Sequence, residues 1–166
     1  MTANYSNLVY LHDILQSILE RDVTFVMTLL QVHVKDNVLK WVSDVRSSKE
    51  YLLPNKRKVD VMYMAYTQNG KRLCIGFEVK TGNDISEEQL SQEIEGLRSM
   101  EVCDKSFFVL IAKEDPSYDI PYYFIPLSAF RQKVSDVLKI AQKLLDLVIP
   151  DKKETIFYEV SQKRKG

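Results

Sequence analysis

The sequence predicts an α/β protein in which a mixed central sheet is flanked by helices. The dipeptide Asn69-Gly70, a strong hairpin signal, lies between two stretches rich in β-branched, aromatic and apolar residues. The run Phe107–Ala112 is continuously apolar, which is typical of a strand buried on both faces. Segments with apolar residues spaced by three and four precede, separate and follow these strands. That spacing is typical of amphipathic helices, so the order of elements indicates layers of helix and sheet.

The composition is that of an ordinary globular protein. The chain has 166 residues, of which 45% are hydrophobic and 28% charged, and this length suits one domain with a sizeable core. The formal net charge of +0 argues against binding nucleic acid by bulk electrostatic attraction, but it does not exclude a local basic rim around a site. No stretch approaches a transmembrane span, and the first residues do not resemble a signal peptide. Cys74 and Cys103 lack metal-binding spacing and are interpreted as reduced thiols, which predicts a cytoplasmic protein.

The N-terminal part is predicted to be helical. Apolar residues recur at helical spacing from Asn7 to about Glu20, and the almost wholly apolar segment 22–34 fits a buried helix better than a strand. A further helical piece extends to about residue 47, and a short strand is predicted at Tyr51–Leu53.

The C-terminal part is predicted to contain a last strand and a long helix. The strand is Tyr122–Pro126, and the helix Leu127–Leu147 has an apolar stripe that suits packing on the sheet or a dimer face. The tail contains a β-like run, Thr155–Val160, and a basic end, Gln162–Lys165. All 166 residues are assigned to a single domain.

Two acids and a lysine fall on the predicted hairpin. Asp60 lies near the start of its first strand, and Glu78 and Lys80 lie at the end of its second. Glu78 and Lys80 share a face, because alternate residues of a strand point to the same side. A hairpin closed at Asn69-Gly70 brings Asp60 beside them. We therefore expect two carboxylates and an ammonium group to converge at one edge of the sheet.

Such a set of side chains indicates phosphoryl chemistry. Carboxylate oxygens are hard ligands that suit Mg²⁺ or Mn²⁺. A bound ion of this kind lowers the pKa of a water molecule and stabilises charge on a phosphoryl group. A neighbouring lysine orients that water or binds the phosphate.

The same residues resemble the motif of the PD-(D/E)XK nuclease superfamily. The motif consists here of Asp60, seventeen intervening residues, and Glu78-Val79-Lys80, with a helix after the second strand. Val59 stands where the family often has proline. The resemblance covers roughly residues 56–97 and implies a restriction-endonuclease-like αβββαβ core. It also implies a metal-dependent DNA endonuclease, similar in style to Holliday junction resolvases and to small nucleases of archaeal viruses.

The resemblance implies a role for each motif residue. Asp60 and Glu78 are expected to hold Mg²⁺ or Mn²⁺, with the backbone carbonyl of Val79 as a further ligand. Lys80 is expected to orient the attacking water.

An acid on an N-terminal helix assists the metal site in many members of the family. Glu20, near the end of the first predicted helix, is the first candidate for this role. A solvated residue, or an ion pair with Arg21, is the alternative. Asp13 and Glu50 are weaker candidates for the same place.

Several branches of the family support the site with a glutamine on the helix after the motif. Ser86 is a predicted N-cap, and Gln89 and Gln92 follow it on the first turns. An ordinary exposed amide is the alternative for each. The tyrosine that follows such a glutamine in the exonuclease-like branches is missing at the matching place.

Three consecutive basic residues, Lys56, Arg57 and Lys58, precede Asp60. As a cluster they are candidates for contacting a DNA backbone, and a solvated start of the strand is the alternative. Enzymes of this style usually act as dimers, so DNA and a second copy of the chain are the expected partners, without a membrane. The alternative function is a non-catalytic nucleic-acid-binding or assembly module on the same fold. A nuclease that acts on RNA is a third.

Overall fold

A computed structural model describes residues 5–148 of the chain. The chain divides into two compact units, one ending at Phe130 and the other beginning at Arg131. The elements of the first unit are α1 (Tyr5–Arg21), α2 (Val23–His33), a 3-10 turn (Asn37–Trp41), β1 (Val42–Leu52), β2 (Lys58–Thr67), β3 (Arg72–Lys80), α3 (Glu87–Arg98), β4 (Lys105–Ala112), β5 (Tyr123–Pro126) and a second 3-10 turn (Leu127–Phe130). The second unit contains α4 (Arg131–Val148).

The strands form one five-stranded mixed sheet in the order β1-β2-β3-β4-β5. Strands β1, β2 and β3 are antiparallel neighbours, whereas β3, β4 and β5 run parallel to one another. The predicted α/β fold, with a mixed central sheet flanked by helices, is therefore confirmed.

The predicted hairpin forms where Asn69-Gly70 places it. Strands β2 and β3 pair from Tyr66 opposite Arg72 to Val61 opposite Phe77. Gly70 has a φ of 84°, which a residue with a Cβ adopts only at a cost. The hairpin signal is thus explained by the backbone conformation that this glycine permits.

Helices cover the two faces of the sheet. On one face, α3 buries its apolar stripe in a cluster whose members include Leu90, Ile94, Leu97, Met62 and Phe108. On the other face lies α1, whose Leu15 and Leu19 are buried. The hydroxyl of Tyr63 donates a hydrogen bond to the Leu19 carbonyl and fixes α1 on the sheet. Each fully buried leucine contributes about 1.5–3 kcal/mol to folding.

The two N-terminal helices and the break between them are confirmed. Asp22 interrupts the helical run and caps α2, because its carboxylate accepts a hydrogen bond from the Phe25 N–H at 3.4 Å. The alternative of a strand in this segment is thereby removed.

The prediction of helix up to residue 47 is wrong. Between α2 and the first strand, helical structure is limited to the turn Asn37–Trp41, and β1 begins at Val42. Tyr51 and Leu52 of the predicted short strand form the end of this longer strand, and Leu53 lies just beyond it. β1 is an edge strand whose side chains are exposed or half-buried. It therefore lacks the run of buried apolar residues that marks a strand, and its valines occur at spacings that also fit a helix. Pairing with the buried strand β2 along almost its whole length overrides that local pattern.

The interpretation of the cysteines as reduced thiols is also wrong. The structure joins Cys74 of β3 to Cys103, 29 residues later, with their Cα atoms 5.8 Å apart. The loop before β4 lies against the start of β3, because the Arg72 N–H donates to an Asp104 carboxylate oxygen at 2.8 Å. The sequence did not show that Cys103 lies next to Cys74. Because the two cysteines are joined, the argument for a cytoplasmic location from reduced thiols no longer applies.

The C-terminal elements agree with the prediction in part. Strands β4 and β5 are confirmed, and residues 107–112 are buried throughout. The predicted long helix is divided into the turn Leu127–Phe130 and α4. The β-like run and the basic end of the tail lie outside the described residues. Among the residues that are described, no helix has the length and apolar character needed to cross a membrane.

We expect Tyr63→Phe to lower the free energy of unfolding by about 1–2 kcal/mol, because it leaves a buried carbonyl of α1 without its hydrogen bond. Urea unfolding followed by circular dichroism measures this difference. Tyr10→Phe, at an exposed position of the same helix, is the matched control. Equal stability of Tyr63→Phe and the wild type would show that the bond does not hold α1.

Candidate active site

The site is built around Asp60, at the point where the β2–β3 ladder stops. The last pair of that ladder is Val61 opposite Phe77. Beyond it, Oδ2 of Asp60 accepts a hydrogen bond from the Val79 N–H at 2.7 Å. A side-chain carboxylate thus takes the position that a backbone carbonyl occupies in a continuing ladder. This bond holds Asp60 against the segment of β3 that contains Glu78 and Lys80.

Glu78 and Lys80 lie on one face of β3, as their spacing predicts. The Lys80 Nζ is 3.3 Å from Oε2 of Glu78. Glu78 is only 5% exposed, so this ion pair is formed largely away from water. The three motif side chains are therefore gathered where β2 begins and β3 ends.

The pKa of Glu78 is raised well above its ordinary value. Burial of the carboxyl group is the main cause, and the negative charges of Asp60 and Glu93 add to it. The Lys80 ammonium group acts in the opposite direction without compensating for them. The site therefore has more acidic groups than cations, and a proton or a cation stabilises it.

Gln89 reaches this cluster from α3. Ser86 caps the helix by accepting the Gln89 N–H at 3.1 Å, as predicted, and this places Gln89 in the first turn. Its Nε2 donates to Oε2 of Glu78 at 3.4 Å and to Oε2 of Glu93 at 2.9 Å. The structure thus brings one of the two predicted glutamines to the site.

Gln92 faces other partners. Its side-chain oxygen accepts from the Arg57 guanidinium, and its Nε2 donates to Glu88 at 3.4 Å. Its backbone carbonyl accepts from the amide of Asn55 at 2.7 Å. Gln92 therefore ties the β1–β2 turn to α3, and it is Gln89 whose amide contacts Glu78.

Two residues of α1 hold Asp60 from the opposite side. The Nε2 of His12 is 3.3 Å from Oδ1 of Asp60. Gln16, one turn further along, donates to the Asp60 backbone carbonyl at 2.9 Å and to Oε1 of Glu50 at 3.0 Å. Sequence reasoning missed both residues. Their signal was a histidine and a glutamine four positions apart, which places them on one face of an amphipathic helix.

The structure places Glu20 away from these contacts. Glu20 follows His12 by eight residues, a distance of roughly 12 Å along the helix axis. Its backbone carbonyl accepts a hydrogen bond from Ser47 at 2.6 Å. Glu50, a weaker candidate, is joined to the site through Gln16, and it has a φ of 51°. Asp13, the other weaker candidate, has a largely exposed side chain whose Oδ1 is 3.9 Å from His12 Nδ1.

The pKa of His12 is raised. Its hydrogen bond with Asp60 is the largest cause, and the charges of Asp60, Asp13 and Glu50 act in the same direction, while burial opposes them. Protonated His12 is thus favoured by the acidic surroundings.

The basic residues before Asp60 are exposed in the β1–β2 turn and at the start of β2. Lys56 has a φ of 69° in this turn. The Arg57 guanidinium is bonded to Gln92, whereas Lys58 lies two residues before Asp60 on β2. The cluster is therefore open to solvent beside the acidic site, and its contact with DNA stays a prediction.

Asp60 and Glu78 carry the carboxylate oxygens that magnesium prefers as ligands. Within residues 5–148, no group of three or more His, Cys, Asp and Glu side chains forms a metal-ligand cluster. Magnesium, however, is usually bound by one or two carboxylates together with waters and substrate phosphates. In addition, Oε1 of Glu93 is buried without a hydrogen-bond partner in the described structure. Excess buried acceptor capacity of this kind is compatible with a cation nearby.

Comparisons of the chain with protein-family models, with curated proteins and with solved structures gave no match. The functional interpretation therefore rests on the geometry of the site.

We expect the stabilising effect of His12 to depend on pH. The folded-state pKa of His12 is above its unfolded value of 6.5, so the stabilisation is complete below that value and is lost as pH rises through the folded pKa. The wild type should therefore exceed His12→Gln in unfolding free energy by more at about pH 6 than at about pH 9.

Urea unfolding at the two pH values measures this difference. His33→Gln is the matched control, because it removes the histidine of α2 and leaves the Asp60 pair intact. A difference that grows with pH would contradict the assignment of a raised pKa to His12.

Proposed function

We propose that this protein is a metal-dependent DNA endonuclease that hydrolyses phosphodiester bonds on a restriction-endonuclease-like core. The observation that supports this most directly is the Asp60 carboxylate, held on the Val79 N–H beside the Glu78–Lys80 pair. The order α1, α2, β1, β2, β3, α3 and β4 contains the αβββαβ series of that core, with α2 as an additional helix before β1.

Asp60 and Glu78 are the ligands of Mg²⁺ or Mn²⁺ in this proposal, with the Val79 carbonyl as a third oxygen. The N–H and C=O of one strand residue point to the same neighbouring strand. Because the Val79 N–H is bonded to Asp60, its carbonyl is on the Asp60 side of β3 as well. A bound Mg²⁺ supplies a water of lowered pKa and stabilises charge on the phosphoryl oxygens.

The remaining residues orient these groups and the reactants. Lys80 donates hydrogen bonds to the attacking water or to a phosphate oxygen, since its ammonium group is a point charge with three donors. His12 and Gln16 hold Asp60 from α1. In the reaction the water oxygen forms a bond to phosphorus and loses a proton to solvent, while the phosphorus–oxygen bond to the leaving group breaks and the leaving oxygen gains a proton from solvent. Glu20 is too far along α1 to share the contacts of His12, and an indirect role for it stays a prediction.

The substrate class follows from the surroundings of the site. Lys56, Arg57 and Lys58 are exposed beside Asp60 and suit a phosphate backbone. A small enzyme that cuts two strands is expected to act as a homodimer, since two-fold symmetry matches a duplex or a junction. DNA as the substrate makes the cytoplasm the expected place of action.

We expect Asp60→Asn and Glu78→Gln each to lower the rate of DNA cleavage in Mg²⁺ by at least about 100-fold, because each removes a charged ligand. Lys80→Ala should lower it by about 100-fold or more, since the water loses its orienting group. A plasmid-nicking assay with purified variants measures these rates. Asp44→Asn, at an exposed position of β1, is the matched control.

Activity that is equal in Asp60→Asn and the wild type would point to a contaminating nuclease. A wild type that cuts no DNA with either Mg²⁺ or Mn²⁺ would leave the non-catalytic module as the better proposal. Comparing the cleavage rates of matched DNA and RNA substrates distinguishes a deoxyribonuclease from a ribonuclease. A preference for linear duplex over a four-way junction would exclude the junction-resolving type.

We expect the double variant Lys56→Gln/Lys58→Gln to bind DNA with a weaker salt dependence. Each lost phosphate contact lowers the slope of log K against log salt by about 0.9, so the two changes lower it by up to about 2. Fluorescence anisotropy in Ca²⁺, which allows binding to be followed without Mg²⁺, measures the slope. Lys71→Gln, in the hairpin turn at the other end of β2, is the matched control. An unchanged slope would remove this cluster from the DNA-binding surface.

A further inference from the structure

Glu93 is a buried acid with no role in the proposal above. It lies on α3 one turn after Gln89 and is only 2% exposed, less than Glu78 itself. Glutamate is rarely buried to this extent, because removing a carboxylate from water is unfavourable unless its partners compensate. Its position therefore calls for a reason beyond packing.

The contacts of Gln89 supply one. Its Nε2 has two hydrogens, and the two acceptors near this nitrogen are Oε2 of Glu93, at 2.9 Å, and Oε2 of Glu78, at 3.4 Å. The shorter bond is the one to Glu93. Because an amide oxygen cannot donate, this bond selects the orientation in which the nitrogen faces the two acids. The second hydrogen is then available to Glu78.

The other oxygen of Glu93, Oε1, is expected to lower the stability of the folded protein. Oε1 has no hydrogen-bond partner among the described residues. Burial raises the pKa of Glu93, and its carboxyl group also interacts directly with that of Glu78. A buried unpaired acceptor lowers stability, and an apolar side chain of similar size avoids this loss. Glu93 is therefore better explained by what it does to its neighbours than by what it contributes to the core.

We propose that Glu93 is a positioning residue, which acts through the Gln89 amide to hold the Glu78 carboxylate in place for a divalent cation. The inference rests on the proposed function, since it takes Glu78 as a ligand of the ion. In this inference Glu93 is not a ligand of the ion, and it acts on the carboxylate of Glu78. Groups that orient a metal ligand typically change metal affinity by 10- to 100-fold when they are removed.

The experiment measures Mn²⁺ affinity by calorimetric titration of the full chain without DNA. Glu93→Met removes the acceptor for Gln89, and we expect it to weaken Mn²⁺ binding by about tenfold or more. Glu93→Gln keeps a side-chain oxygen that accepts from Gln89, so its affinity should stay close to that of the wild type. Glu95→Met, at an exposed position of the same helix, is the matched control.

Two further variants separate positioning from other roles. Glu93→Asp keeps the charge but withdraws the acceptor by one methylene group, so it should resemble Glu93→Met. The double variant Gln89→Met/Glu93→Met should bind Mn²⁺ no more weakly than Gln89→Met alone, because the two residues act in series. In addition, the melting temperature of metal-free Glu93→Met should equal or exceed that of the wild type.

Three results would overturn the positioning role. The first is Mn²⁺ affinity of Glu93→Met and Glu93→Asp equal to that of the wild type. The second is a loss in Glu93→Gln but not in Glu93→Asp, which would indicate that charge alone matters. The third is a double variant whose losses multiply. A wild type that binds no Mn²⁺ would instead overturn the metal-dependent function and the inference with it, whereas the three results above leave that function standing.

Discussion

The hydrogen bond between the Val79 N–H and the Asp60 carboxylate is the contact on which the rest of the site depends. A carboxylate in place of a carbonyl ends the β2–β3 ladder after Val61 and Phe77, without leaving the Val79 N–H unpaired. A charge-assisted bond is also stronger than the ladder bond that it replaces. One contact therefore stops the hairpin, fixes the position of Asp60 and keeps it next to the residues that flank Val79.

The two carboxylates are then held from opposite sides of the sheet. Donors from α1, His12 and Gln16, contact Asp60, whereas Gln89 of α3 contacts Glu78. Neither helix serves both acids, so each can be fixed without competition for donors. Burial, together with repulsion from Asp60, raises the pKa of Glu78. Such a site is energetically unfavourable for the fold alone, and in the proposed function a divalent cation relieves the repulsion.

The hairpin could be predicted because its signals are local. Asn69-Gly70 determines the turn, and the two-residue alternation of β3 determines that Glu78 and Lys80 share a face. Strand β1 could not, because an edge strand owes its conformation to pairing with β2, which is absent from its own pattern. Whether His12 or Glu20 of α1 lies beside Asp60 depends on the position of the helix along the sheet. That position is fixed by contacts such as the bond from Tyr63 to the Leu19 carbonyl, which join residues far apart in sequence.

The position of the motif on β3 limits where selectivity can arise. Strand β3 is the central strand, antiparallel to one neighbour and parallel to the other, and all residues between its ends are buried. A strand packed on both faces is rigid, and it tolerates few changes of side chain. Only Lys80, at its end, is partly exposed. In the proposed function, the elements that distinguish one DNA structure from another are therefore those around this fixed centre, above all the basic β1–β2 turn and the exposed side of α1.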